Sequence, residues 1–111
     1  MRLVIIPDKK NLIVRIAGEL DHHNSFKVKD ELDAHLSKDI AKNIVLNLRE
    51  LNFMDSSGLG VILGRYKKVR EKGGKIIACE VNPQLLKILE LSGFKKIIPI
   101  VDSEKTAINC L

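Results

Sequence analysis

Apolar positions along the chain follow two different spacings. Leu3-Val4-Ile5-Ile6, Leu12 to Ala17, Asn43 to Leu48 and Lys75 to Cys79 are short apolar runs bounded by turn residues, and they predict strands. Val28, Leu32 and Leu36 recur every four residues and predict an amphipathic helix running to about Lys38. Leu59, Ile62, Leu63, Tyr66 and Val69 predict a second helix, and Leu85, Leu86, Ile88, Leu89 and Leu91 a third. Gly, Pro, Asn and Ser punctuate these elements. Pro7 and the polar turn Asp8 to Asn11 close the first strand, and Gly18 closes the second. Asn24 or Ser25 caps the first helix, and Gly73-Gly74 stops the second. Asn82-Pro83 opens the third as a cap with proline at the first helical position, and Ser92-Gly93 ends it. Arg49 to Met54 reads as a connection. Ile97 to Val101 reads as a fifth strand, placed at a sheet edge by Pro99. Asp102 or Ser103 caps a last short helix containing Ala107, Ile108 and Leu111.

The order β-β-α-β-α-β-α-β-α predicts an α/β fold: a mostly parallel sheet of about five strands, an antiparallel N-terminal strand and about four helices. With 111 residues, 45% hydrophobic and 30% charged, one domain spanning residues 1–111 is expected. A chain of this size buries about two-thirds of its unfolded surface, enough for a core without disulfides. Cys79 and Cys110 stand far apart with no CxxC pairing, so both are expected as reduced thiols, Cys79 as a small buried hydrophobe. No apolar run is long enough for a membrane span. The four apolar residues before Pro7 fall short of a signal peptide, so the expected location is the cytoplasm.

Net charge is +5, and it is unevenly placed. Residues 1–64 hold nine basic and nine acidic side chains, whereas residues 65–111 hold ten against five. Such a balance invites a nucleic-acid partner. Against it stand only four aromatics (Phe26, Phe53, Tyr66, Phe94), no Trp and no recognised nucleic-acid motif.

In an open α/β sheet function gathers at the carboxyl ends of the strands, which here are Gly18–Asn24, Arg49–Gly58, Glu80–Asn82 and Asp102–Ser103. Gly58, Gly60 and Gly64 are spaced one residue too long for a dinucleotide fingerprint, and no Lys-Ser/Thr follows for a phosphate loop. Gly60 and Gly64 share a helical face, where small residues suggest close packing. Asp55 lacks the acidic pair that would hold Mg²⁺ beside an acyl phosphate. Neither Ser56 nor Ser57 has the flanking glycines of a hydrolase elbow. His22 and His23 are adjacent, so their rings are expected on different sides of the chain. With His35 on a predicted helix, no metal site is expected, and the histidines read as a solvated loop. Asp55-Ser56-Ser57-Gly58 remains. It is a helix cap, and a serine there is also a place for phosphate, whose added charge rewrites the surface. Physical chemistry alone leaves Ser56 and Ser57 equivalent.

Gly18-Glu19-Leu20-Asp21-His22-His23, the run Phe53 to Lys67 containing Asp55-Ser56-Ser57-Gly58-Leu59-Gly60, and Ser92-Gly93-Phe94 together resemble the anti-sigma factor antagonists of the STAS fold. The resemblance covers nearly the whole chain. Glu19 to His23 points to the sporulation branch acting on sigma-F, with a sigma-B stress-response antagonist as the alternative and a small nucleotide-binding domain behind it. The resemblance implies a switch without catalytic residues or a cofactor of its own. Unphosphorylated, it would bind an anti-sigma factor serine kinase holding ATP and Mg²⁺, and so free the sigma factor. Phosphorylation would fall on Ser56, ending the interaction, and a serine phosphatase would reset it. Asp21, His22, His23, Asp55, Ser57, Gly58, Leu59 and Gly60 would form the partner surface. No nucleic acid or membrane is implied.

Overall fold

The computed structural model describes residues 1–111. Strands β1 (Arg2–Asp8) and β2 (Asn11–Leu20) form an antiparallel hairpin through Lys9-Lys10, with Asp8 opposite Asn11. Helix α1 (Ser25–Leu36) leads to β3 (Asn43–Asn47), and β4 (Leu51–Met54) leads to α2 (Ser56–Glu71). Then come β5 (Ile76–Cys79), α3 (Pro83–Ser92), the single turn α4 (Phe94–Ile97), β6 (Ile100–Val101) and α5 (Glu104–Asn109). The sheet runs β1-β2-β3-β5-β6, parallel except at β1, and β4 pairs with the far end of β2.

The single α/β domain follows the expected order, with six strands and five helices rather than about five and four. Several boundaries differ. β1 runs on through Pro7, which an edge strand tolerates because one row of its backbone groups is unpaired anyway. β2 does not end at Gly18: its register shifts between Gly18 and Glu19, and Glu19-Leu20 continue alongside Phe53-Met54. Arg49 to Met54 is therefore not merely a connection, because Leu51–Met54 is the strand that receives this extension. At the other end, Gly93 adopts a left-handed conformation that ends α3, and Phe94–Ile97 makes a helical turn. The predicted fifth strand shrinks to Ile100–Val101, at the sheet edge beside Pro99.

Alternation along the strands divides the core. Leu12, Val14, Ile16, Ile44, Leu46, Ile76 and Ala78 face α1, α2 and α3, meeting Val28, Leu32, Ile62, Val69, Leu85 and Leu89. Val45, Ile77 and Cys79 face the other way, where α5 supplies Ala107. No helix is long and apolar enough to cross a membrane.

Packing between α1 and α2 includes an ion pair. Arg65, only 7% exposed in its side chain, points its Nε to Asp33 Oδ1 at 3.0 Å, and Lys68 Nζ reaches the same oxygen at 3.1 Å. The Arg65 approach is ionic rather than a well-aligned hydrogen bond, because neither its Nε nor Asp33 Oδ1 meets hydrogen-bond geometry.

Candidate functional site

Everything at the carboxyl end of β4 turns on Asp55. Its extended backbone makes it the N-cap of α2, and its Oδ1 accepts the Gly58 N–H at 3.0 Å. Its Oδ2 accepts the His22 N–H, also at 3.0 Å, from the loop between β2 and α1. One carboxylate thereby joins two loops that lie thirty-three residues apart in sequence. The Gly58 N–H is the main cause that holds the Asp55 carboxyl below the usual carboxylate range; the His22 N–H adds to it, and partial desolvation opposes both.

The β2–α1 loop is ordered by its own polar groups. Asp21 Oδ1 accepts the His23 N–H at 3.0 Å, and Asn24 Oδ1 accepts the Asp21 N–H at 3.0 Å. Asn24 stands at the N-cap position of α1, yet its side chain makes no bond to the helix; its amide donates to the Glu19 carbonyl at 2.7 Å instead. The histidines depart from expectation. Their rings lie against each other, with centroids 3.9 Å apart and planes 38° from parallel, because the tight turn folds the two side chains together. Both stay exposed, and His22 Nδ1 sits 3.7 Å from Asp55 Oδ2.

Ser56 is the first residue of α2 and is exposed; Ser57, next to it, is half-buried. The two serines, equivalent in sequence, are therefore distinct in space. Leu59 is half-buried and Gly60 exposed on the first turns of the same helix. Gly58 is different. It is buried, and a Cβ there would lie 2.6 Å from the Leu20 carbonyl oxygen and 2.8 Å from Leu20 Cγ. Its role is to let α2 start directly against β2, shaping the surface from beneath. The anticipated close packing at Gly60 and Gly64 is absent: a Cβ at either meets nothing within 4 Å. All three glycines lie within α2 rather than in a loop able to wrap a phosphate.

Sequence reasoning missed two supports. Asn82 caps α3 through Oδ1, and its amide donates to the Arg49 and Leu51 carbonyls, fixing the chain as it enters β4. The proline that follows signalled the cap, but nothing local signalled the second set of bonds. Exposed Phe53 on β4, opposite Glu19, was also hidden while its strand read as a connection.

A separate cavity of about 370 Å³ lies on the α5 side of the sheet, where Arg15, Asn47, Glu80 and Glu104 meet. Arg15 and Glu104 form an ion pair in it, joined by Asn47 to Glu80. Arg15 Nε and Nη2 each donate to Glu104 at 2.8 Å, and the Asn47 amide donates to Glu80 and Glu104. Arg15 is the main cause that holds Glu104 below its ordinary value.

Comparison with known proteins identifies the family. A STAS domain matches residues 3–107. An anti-sigma F factor antagonist of Paenibacillus polymyxa is 52% identical over 97 residues, covering 87% of this chain and 83% of the relative. An anti-sigma-B factor antagonist of Listeria monocytogenes is 32% identical over 99 residues, covering 87% and 84%. Among solved structures, unphosphorylated SpoIIAA superimposes with a TM-score of 0.77 at 25% identity, covering 97% of this chain and 96% of that one. The phosphorylated form of Bacillus SpoIIAA gives 0.76 at 27% identity, covering 97% of each chain. The chain belongs to the STAS family, among its anti-sigma factor antagonists.

Proposed function

We propose that this chain is an anti-sigma factor antagonist switched by phosphorylation of Ser56. In its unphosphorylated form it binds an anti-sigma factor that is itself a serine kinase, through Asp21, His22, His23, Asp55, Ser57, Leu59 and Gly60 over the floor set by Gly58. Binding displaces the sigma factor. The sigma-F assignment rests on the 52% identity to an anti-sigma F factor antagonist, against 32% to the sigma-B type. A cytoplasmic location fits this role.

The observation that carries the reading is the division of labour between Asp55 and Ser56. Asp55 occupies the Gly58 and His22 N–H groups, so the Ser56 hydroxyl at the helix start stays exposed and uncommitted. The kinase brings ATP and Mg²⁺. The Ser56 Oγ bonds to the γ-phosphorus as its bond to the β,γ-bridging oxygen breaks, ADP leaves, and the hydroxyl proton passes to a base of the kinase. The product dianion cannot take the N–H groups that Asp55 already holds. It projects outward beside a carboxylate, where repulsion and bulk oppose rebinding, and no refolding is required. A serine phosphatase restores the hydroxyl. Intact-mass measurement after incubation with the kinase and Mg-ATP, on the wild type, Ser56→Ala and Ser57→Ala, tests the assignment. Phosphate on the first and third but not the second is expected.

A further inference from the structure

The positive charge of the second half of the chain lies outside the residues assigned to the Ser56 switch. Its placement in the fold is specific. Residues 65–77 and 93–101 carry eight basic side chains against the single acid Glu71. Arg65 and Lys68 are matched by Asp33, and Lys72 by Asp39. Lys67, Arg70, Lys75, Lys95 and Lys96 have no carboxylate within 4.0 Å.

The same two segments, with Cys110 after α5, line an open groove of about 450 Å³ between the end of α2 and the β6 edge of the sheet. Its floor is apolar, with Tyr66, Val69, Ile77, Ile97 and Val101. Ile97 is 42% exposed and sits beside half-buried Tyr66 and Val101 in the same groove. Unpaired Arg70 and Lys75 are among the lining residues, and no carboxylate is. Arg70 Nη1 donates to Tyr66 Oη at 3.4 Å, which steadies the guanidinium beside the groove.

We propose that this groove docks a short acidic, amphipathic segment of a partner protein, whose apolar side chains enter the groove while its carboxylates meet Arg70 and Lys75. An apolar floor with cationic lining residues and no acid selects that chemistry. A second copy of this chain is disfavoured, since each carries net charge +5 and the groove is itself basic. A nucleic acid would leave the aliphatic floor uncovered and find one aromatic, Tyr66, for stacking. Ser56 and Tyr66 lie ten positions apart on α2, about 15 Å along the helix. The docked segment therefore leaves the Ser56 surface free, and two partners can be held at once.

A test uses the full chain, labelled with ¹⁵N, and a synthetic peptide with leucine at every third or fourth position and glutamate elsewhere. Amide shifts concentrated at Tyr66–Ile77 and Ile97–Val101 are expected, with affinity that weakens as salt rises. The pair Arg70→Glu and Lys75→Glu, both exposed, should lower affinity about tenfold or more while the amide spectrum keeps the folded pattern. A peptide with lysine in place of glutamate should not bind. Four results would overturn the proposal: no binding, shifts centred on Asp21–Asn24, indifference to the double substitution, or equal binding by a single-stranded oligonucleotide of matching charge.

Discussion

The Asp55 carboxylate accepts the His22 backbone N–H at 3.0 Å while its other oxygen caps the helix that begins at Ser56. A single side chain thus sets both the start of α2 and its distance from the β2–α1 loop. Asp55→Ala removes both acceptors, whereas Asp55→Asn keeps one neutral acceptor and sets an NH2 donor where the other stood. We expect amide exchange at His22 and Gly58 to quicken strongly in the alanine variant and modestly in the asparagine one, with kinase binding weakened in the same order. Hydrogen exchange read by NMR checks this.

The same bonds give a pH dependence with a defined sign. Asp55 is held low chiefly by the Gly58 N–H, and Glu104 chiefly by the hydrogen bond from Arg15. A carboxyl whose folded pKa is depressed stabilises the fold above its unfolded pKa. That contribution is lost as pH falls from the unfolded value through the folded one. Urea midpoints should therefore fall below about pH 4, and Asp55→Asn should flatten part of that fall. An unchanged acid limb in Asp55→Asn would remove Asp55 from the account.

Gly58 and Gly60, two residues apart, should behave oppositely. Gly58→Ala forces a Cβ into the Leu20 carbonyl, and a cost of about 1–3 kcal/mol is expected. Gly60→Ala meets open space in a helix interior and should stabilise by up to about 1 kcal/mol. If Gly60 lies under the kinase, that same stabilised variant binds it less tightly. Chemical denaturation and a binding titration on both variants separate folding from contact.

Asp33 is the counter-charge of a buried guanidinium. Asp33→Ala leaves Arg65 buried without it, and since Asp33 is 24% exposed and shared with Lys68, a loss of about 2 kcal/mol is expected. Arg65→Met should cost less, because it removes the charge together with its need for a partner. A double-mutant cycle measures the coupling.

The two cysteines should differ in reactivity. Burial pushes the Cys79 thiol up to about 12, while Cys110 is exposed. Iodoacetamide at neutral pH should modify Cys110 alone in the folded protein and both in urea, as read by mass spectrometry.

Much of the fold was legible because its signals are local. The four-residue spacing of Val28, Leu32 and Leu36, the Asn82-Pro83 start and the Ser92-Gly93 stop all appear where the sequence places them. β4 was not legible. Its inward residues Leu51 and Met54 flank the exposed Asn52 and Phe53, so neither strand nor helix period shows. Its existence depends on Leu20, the partner of Met54, continuing past the irregularity at Gly18. The site followed the same rule. Asp55 as cap was readable from its neighbours, whereas its bond to His22 belongs to the tertiary structure, and the approach of the His22 and His23 rings to the shape of the β2–α1 turn. The difference between Ser56 and Ser57 likewise lies in their exposure, which no local pattern encodes.

Kinase binding measured before and after phosphorylation at a mapped residue tests the Ser56 switch most directly. Incubated with the anti-sigma factor kinase and Mg-ATP, the protein should gain a single phosphate, located on Ser56 by fragmentation. Its affinity for the kinase should then fall about a hundredfold, while Ser56→Ala binds throughout and gains none. Stoichiometric phosphate on the Ser56→Ala protein, or undiminished binding by the phosphorylated wild type, would contradict it.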